Sequence, residues 1–170
     1  AGGDWLSLKI RGQLRTRYEF RSEFDFNDSA GENDGFVLQR TRVSADATAF
    51  KRLEVFAEGQ DTQSITANVA NKTSSFEDNF DLRQLWVQAP LGEPLRLKAG
   101  RQELSFGDER FFGVSDWGVG RTFNALRATW VPAGWAVDAF AGNVVIVDDN
   151  NANAPDHRDD VYGAYASYTG

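Results

Sequence analysis

Between Leu6 and Phe24 the chain reads LSLKIRGQLRTRYEFRSEF, and its polarity changes at every residue. The even positions are Leu6, Leu8, Ile10, Gly12, Leu14, Thr16, Tyr18 and Phe20. The odd ones are Ser7, Lys9, Arg11, Gln13, Arg15, Arg17, Glu19, Arg21 and Glu23. A period of two belongs to an extended strand with unlike faces. A helix would need apolar residues at i, i+3, i+4 and i+7, where Lys9, Gln13 and Arg17 interrupt. Globular strands average ~5–6 residues, and this one runs to about three times that. At ~3.3 Å per residue it exceeds the ~9–11 residues of a tilted spanning strand. Five of its nine polar positions are Lys or Arg. The stretch reads as one stave of a membrane barrel, with lipid on the even side and a wet, basic lumen on the odd side.

The rest of the composition agrees. The 170 residues form one domain, residues 1–170, either a complete β-barrel or the N-terminal portion of one. Mean hydropathy is −0.47 and no run approaches the ~18 apolar residues of a helical span. A β-barrel stays open, because lumen and loops dilute its apolar band. The opening Ala1-Gly2-Gly3-Asp4 resembles a processed, mature end. A net charge of −7 argues against a nucleic-acid partner. No cofactor is expected.

Seven more alternating or apolar stretches follow: Phe36–Ala49, Leu53–Thr62, Asp81–Ala89, Leu95–Leu104, Phe123–Val131, Trp135–Val145 and Val161–Tyr168. They predict an all-β, antiparallel, up-and-down transmembrane β-barrel of about eight strands, complete or part of a larger one. Phe56 sits on the polar side of its strand. Beyond Gly100 the charges Arg101 and Glu103 fall on the apolar parity, and a β-bulge at Gly100 would restore the facing. The lipid-facing set is Leu8, Ile10, Leu14, Tyr18, Val43, Leu85, Val87, Leu126, Trp130, Val137 and Ala139.

The connections alternate: long (25–35), short (50–52), long (63–80), short (91–94), long (105–122), short (132–134), long (146–160). Outer-membrane barrels have short periplasmic turns and long extracellular loops, so this pattern places the N-terminus in the periplasm. Acidic residues collect in the first and fourth long loops, whereas the first strand's polar face is mostly basic. A basic lumen concentrates an anionic solute and screens it in passage. The plainer reading pairs these arginines with Glu54, Glu58, Glu103 or Asp138 across strands.

Five stretches, LRTRYEFRSEFDFN, FVLQRTRVSADA, DLRQLWV, AGRQELSFGDERFFG and GRTFNALRATW with GWAVDAFAG, together resemble the alginate-export family of outer-membrane porins. The resemblance implies a bacterial (Gram-negative) outer-membrane barrel with an arginine-rich pore passing anionic polysaccharide. Its partners would be outer-membrane lipid, an anionic polysaccharide or other anionic solute, and periplasmic export proteins. On that pattern the pore lining includes Arg15, Arg17, Arg40, Arg42, Arg83, Arg101, Glu103, Asp108, Glu109 and Arg110. Arg127 and Asp138, on the polar sides of their strands, join it. Family barrels have about eighteen strands, so eight imply an N-terminal portion or a shortened version. A closed eight-strand barrel holds little more than its own side chains and would not pass a polymer.

No enzyme is expected. His157 is the single histidine and lies in an acidic stretch, there is no Cys, and no Ser occupies a nucleophile elbow. The Asp25–Gly35 loop fails the calcium-loop pattern, with Ala30 and Phe36 where Gly and Glu belong. Two other classes compete: a small structural or engineered barrel that conducts nothing, and a soluble ligand-binding barrel. Phe111, Phe112 and Trp117 offer either an interfacial girdle or a sugar-stacking platform.

Overall fold

The computed structural model describes residues 5–21, 34–65, 76–149 and 151–169. They form eight strands: β1 Leu6–Arg21, β2 Asp34–Ala49, β3 Leu53–Ile65, β4 Asp78–Gly92, β5 Leu95–Gln102, β6 Phe123–Trp130, β7 Trp135–Ile146 and β8 Ala154–Tyr168. Every pair of sequence neighbours is antiparallel, in the order β1-β2-β3-β4-β5-β6-β7-β8. No helix occurs among the described residues. This is the all-β, up-and-down meander that the alternation predicts. Among the described residues β1 pairs only with β2 and β8 only with β7, so their sheet is open. Closure of the eight strands on themselves does not occur among the described residues.

One face is apolar and bare. Ile10 is 72% exposed and Leu14 68%, and Leu8, Tyr18, Val43, Leu85, Val87, Leu126 and Trp130 are exposed with them. Alternation places polar side chains on the other face, where Arg40, Ser44, Gln60, Thr62, Arg83, Gln84, Gln102 and Asp138 are buried. Burial of the polar face beside exposure of the apolar one is inside-out for a soluble sheet, and it is the arrangement a lipid-facing wall requires. Phe56 is no longer an exception. It stacks on its register partner Trp86 at 5.3 Å, and the Lys98 ammonium lies 3.8 Å above the Trp86 ring, a cation–π contact on the inner face.

Strand ends depart from expectation. β3 runs on to Ile65 and β4 begins at Asp78, which shortens the second long loop. β8 begins at Ala154, not Val161, so Asp156, His157, Asp159 and Asp160 stand on a strand instead of in an acidic loop. Backbone pairing beyond the lipid layer needs no apolar side chains, so polarity does not mark where it stops. Most of the first long loop, with the upper end of the first predicted strand, lies outside the described residues.

The bulge also moves. Pairing runs unbroken through Gly100 on both sides, Trp86↔Gly100 and Gly100↔Ala125. Gly100 has φ 124°, and a side chain there would run into the Leu85 carbonyl. The glycine answers a close backbone approach. Register shifts fall elsewhere, and one of them lies where Glu58↔Gln84 gives way to Gly59↔Leu82. Arg83 is the extra residue, and the bulge turns it from the lipid parity to the inner face.

Residues 103–122 link β5 to β6 and lie on the inner face. They touch both ends of the sheet: Phe106 stacks on Tyr165 of β8, and Trp117 meets Arg17 of β1. One loop reaching both ends requires the sheet to curve into a trough with the loop inside it.

Candidate functional site

The register of β1, β2 and β3 assembles the basic row. Arg15 stands opposite Arg40, Gln13 opposite Arg42, and Arg42 opposite Gln60. Like charges directly across a strand pair repel, so Arg15 and Arg40 need an anion or strong acceptors between them. The loop supplies both. Asp116 accepts from Arg40 Nη1 at 2.7 Å and Nη2 at 3.2 Å, and from Arg42 Nη2 at 2.6 Å. The fork on Arg40 is bidentate and charge-assisted on both sides, the strong form of the contact.

Backbone carbonyls take the rest. Arg15 donates to the Asp116 carbonyl at 2.8 Å, Arg17 to that of Trp117 at 2.9 Å and Arg40 to that of Gly118 at 3.1 Å. Gln60 donates to the Val119 carbonyl at 2.8 Å. The Arg17 guanidinium also lies 3.7 Å from the Trp117 ring centre, and Trp117 Nε1 donates to Glu19 at 2.7 Å. Residues 116–119 thus present a run of acceptors to a row of guanidiniums. Burial by itself would raise the Asp116 carboxyl, but hydrogen bonds and charge from Arg40 and Arg42 hold it below the ordinary carboxylate range.

The other expected residues divide. Arg83, at 6% exposure, bridges Glu58 at 2.7 Å and Glu103. Arg127 pairs with Asp138 at 2.7 Å. For these two the plainer reading, mutual pairing that fills the interior, describes the contacts; Arg17 pairs with Glu19 of its own strand at 2.6 Å, while Arg15, Arg40 and Arg42 turn to the loop. Glu54 accepts from Gln88 instead of an arginine. Arg101 has the parity of Leu85 and Ala99, on the outward face, and donates to Asn124 and to the carbonyls of Leu82 and Asn153. Asp108 and Arg110 form an exposed pair at 3.8 Å, and Glu109 accepts from Ser105. All three are on the loop but make no contact with the arginine row.

The inner face of β6–β8 has a different character. Leu104, Phe123, Ala125 and Phe140 form a buried apolar cluster, extended by Phe106, Phe112, Val144 and Val161. At the outer rim Asp78, 3% exposed, accepts from Asn153 Nδ2 at 2.8 Å, and the Asn153 backbone N–H donates to Asp81. Burial, with Asp81, Asp61 and Asp149 nearby, pushes the Asp78 carboxyl up to about 6 against the Asn153 hydrogen bond. Among the described residues no three of His, Cys, Asp and Glu converge as metal ligands would.

Sequence reasoning missed Asp116 and the 116–119 carbonyls, and it marked Trp117 only as a girdle or stacking residue, not as the partner of Arg17 and Glu19. Periodicity carries no signal for a loop that folds inward, and a lone Asp among glycines and aromatics gives little to read.

A family model described as alginate export matches residues 6–170. No curated protein and no solved structure matches the chain.

Proposed function

We propose, from the premise that this chain belongs to the alginate-export family, that it forms the basic wall of a passive pore for anionic saccharides. The family's members are outer-membrane β-barrel porins in polysaccharide export, a transport class and not a catalytic one. Arg15, Arg17, Arg40 and Arg42 line the wall, and residues 115–119 narrow the passage. One observation carries the reading: Arg40 and Arg42 jointly hold the Asp116 carboxylate, the contact a uronate carboxylate would make in transit. Asp116 occupies that place as the chain's own anion, and an entering polyanion competes with it by exchange of like for like. Such exchange keeps each guanidinium partnered throughout, so binding stays favourable enough to enter and weak enough to leave.

The test is planar-bilayer conductance across a salt gradient. Wild type gives anion-selective reversal potentials and current block by a hexuronate oligosaccharide. Arg40→Ala with Arg42→Ala shifts the reversal potential toward cations and weakens the block. A cation-selective wild type, or selectivity untouched by the double substitution, refutes the proposal.

A further inference from the structure

We propose that the cavity beside β8 is a saccharide-stacking subsite, which seats one pyranose ring of the polymer flat against aromatic side chains. The inference deepens the pore reading and rests on it for the ligand class. A pyranose has apolar C–H faces and a belt of hydroxyls. Its complement is an aromatic floor rimmed by planar donors and acceptors.

The cavity has that form. It holds ≈ 520 Å³ between residues 106–112 and β8, within the ~300–1,000 Å³ usual for ligand sites. Its floor is continuous: Phe106 stacks on Phe140 at 5.0 Å and on Tyr165 at 5.3 Å, and Phe112 meets the Phe140 edge at 4.8 Å. Glycine seats the floor. Gly163 is the register partner of Phe140, and a Cβ there would come within 2.8 Å of that ring, so its absence lets Phe140 lie against β8. Gly107, at φ 56°, lets the loop close on the Tyr165 hydroxyl.

The rim supplies the polar half. Asp108 and Arg110 lie 3.8 Å apart and are 85% and 80% exposed in their side chains. An exposed pair of this kind adds almost nothing to stability. It does offer a carboxylate acceptor beside guanidinium donors, the set that neighbouring hydroxyls can satisfy, and Arg110 is open to a sugar carboxylate. Phe111 completes the wall at 88% exposure, an apolar ring held in water at the mouth of the cavity. The Arg127 guanidinium lies 5.1 Å from the Phe106 ring centre and anchors the floor. Floor and arginine row belong to one inner face, bridged by residues 103–122, so a polymer on one has a path to the other.

Stacking is blind to charge, and that separates this subsite from the arginine row. The test is titration of the full chain in detergent micelles with a hexuronate oligosaccharide and a neutral hexose oligosaccharide of equal length. Saturation-transfer NMR reads which sugar protons touch aromatic rings. Phe111→Ala and Tyr165→Ala should each weaken both sugars about tenfold, the scale of a lost aromatic contact, and Phe111→Tyr should restore affinity. Phe111 is exposed, so its variants keep the fold, with heat-modifiable gel migration as the check. Loss confined to the hexuronate, unchanged affinity for both, saturation of no C–H protons, or no binding of either sugar by wild type overturns the subsite. If Arg40→Ala with Arg42→Ala leaves hexuronate binding and selectivity intact while Phe111→Ala weakens both sugars, the basic-pore reading falls and the subsite stands.

Discussion

Asp116→Asn is the sharpest perturbation of the loop, because the amide keeps the shape while it removes the charge and turns one acceptor of the Arg40 fork into a donor. Asp116 is 45% exposed in its side chain, and its partner Arg40 is 4% exposed. Severing a fully buried ion pair costs ~3–5 kcal/mol, and an exposed one contributes ~0–1 kcal/mol. A half-exposed carboxylate serving two guanidiniums falls between them, at about 2 kcal/mol, which is about thirtyfold in an equilibrium. Arg40 keeps the Gly118 carbonyl and Gln13, so the row survives while the loop loosens. Single-channel recording should show the ratio of open to closed time rising about thirtyfold, with anion preference strengthened by the lost negative charge. The pH dependence has a definite sign. With the Asp116 carboxyl held below its ordinary range, its contribution to docking is complete above the usual carboxylate value of ~3.9 and is lost as pH falls through the lowered one. The Asn variant should show no such acid step. Unchanged open time together with an unchanged reversal potential refutes the loop's role.

Other perturbations read other parts of the wall. Ile10→Arg places a cation on the bare apolar face and should reduce the folded fraction in liposomes by ~2–4 kcal/mol, measured by heat-modifiable migration; a soluble sheet would tolerate it within ~0.5 kcal/mol, and that outcome counts against a lipid-facing wall. Gly142→Ala drives a methyl into the Asn124 carbonyl and should cost upward of ~3 kcal/mol, whereas Gly12→Ala, with nothing within 4 Å, should be silent. Equal effects would contradict the register of β6 and β7. Asp78→Asn tests the outer rim. A carboxyl pushed up to about 6 when folded and ~3.9 when unfolded makes wild-type stability fall as pH rises from ~4 to ~6. The Asn variant should be flat across that window in a thermal unfolding series.

The strand cores were legible because lipid and lumen impose opposite demands on alternate residues, and Leu8, Ile10, Leu14 and Leu126 obey. The strand ends were not. Past the bilayer the ladder of β7 and β8 continues through Pro155 and Asp160, where polarity carries no information about pairing. The facing of Arg83 needed a register shift that its own residues do not announce, while Gly100, the residue that does announce something, marks a tight approach instead. Within the basic row, Arg15, Arg17, Arg40 and Arg42 could be placed on one face from parity alone. Their shared anion could not, because Asp116 reaches them from a separate loop.

Sequence separation sorts the contacts by order of assembly. Each ladder of the wall joins strands adjacent in the chain, so hairpin can add to hairpin with little loop-closure entropy. The contacts that seat the loop are remote by comparison: Arg15 and Asp116 are 101 positions apart, Arg17 and Trp117 100. Long-range contacts of this kind form late, and a segment held by side chains outside the ladders opens at a lower free energy than the ladders do. Among the described residues the loop therefore forms after the ladders and opens before them, and its release leaves every strand paired as it was.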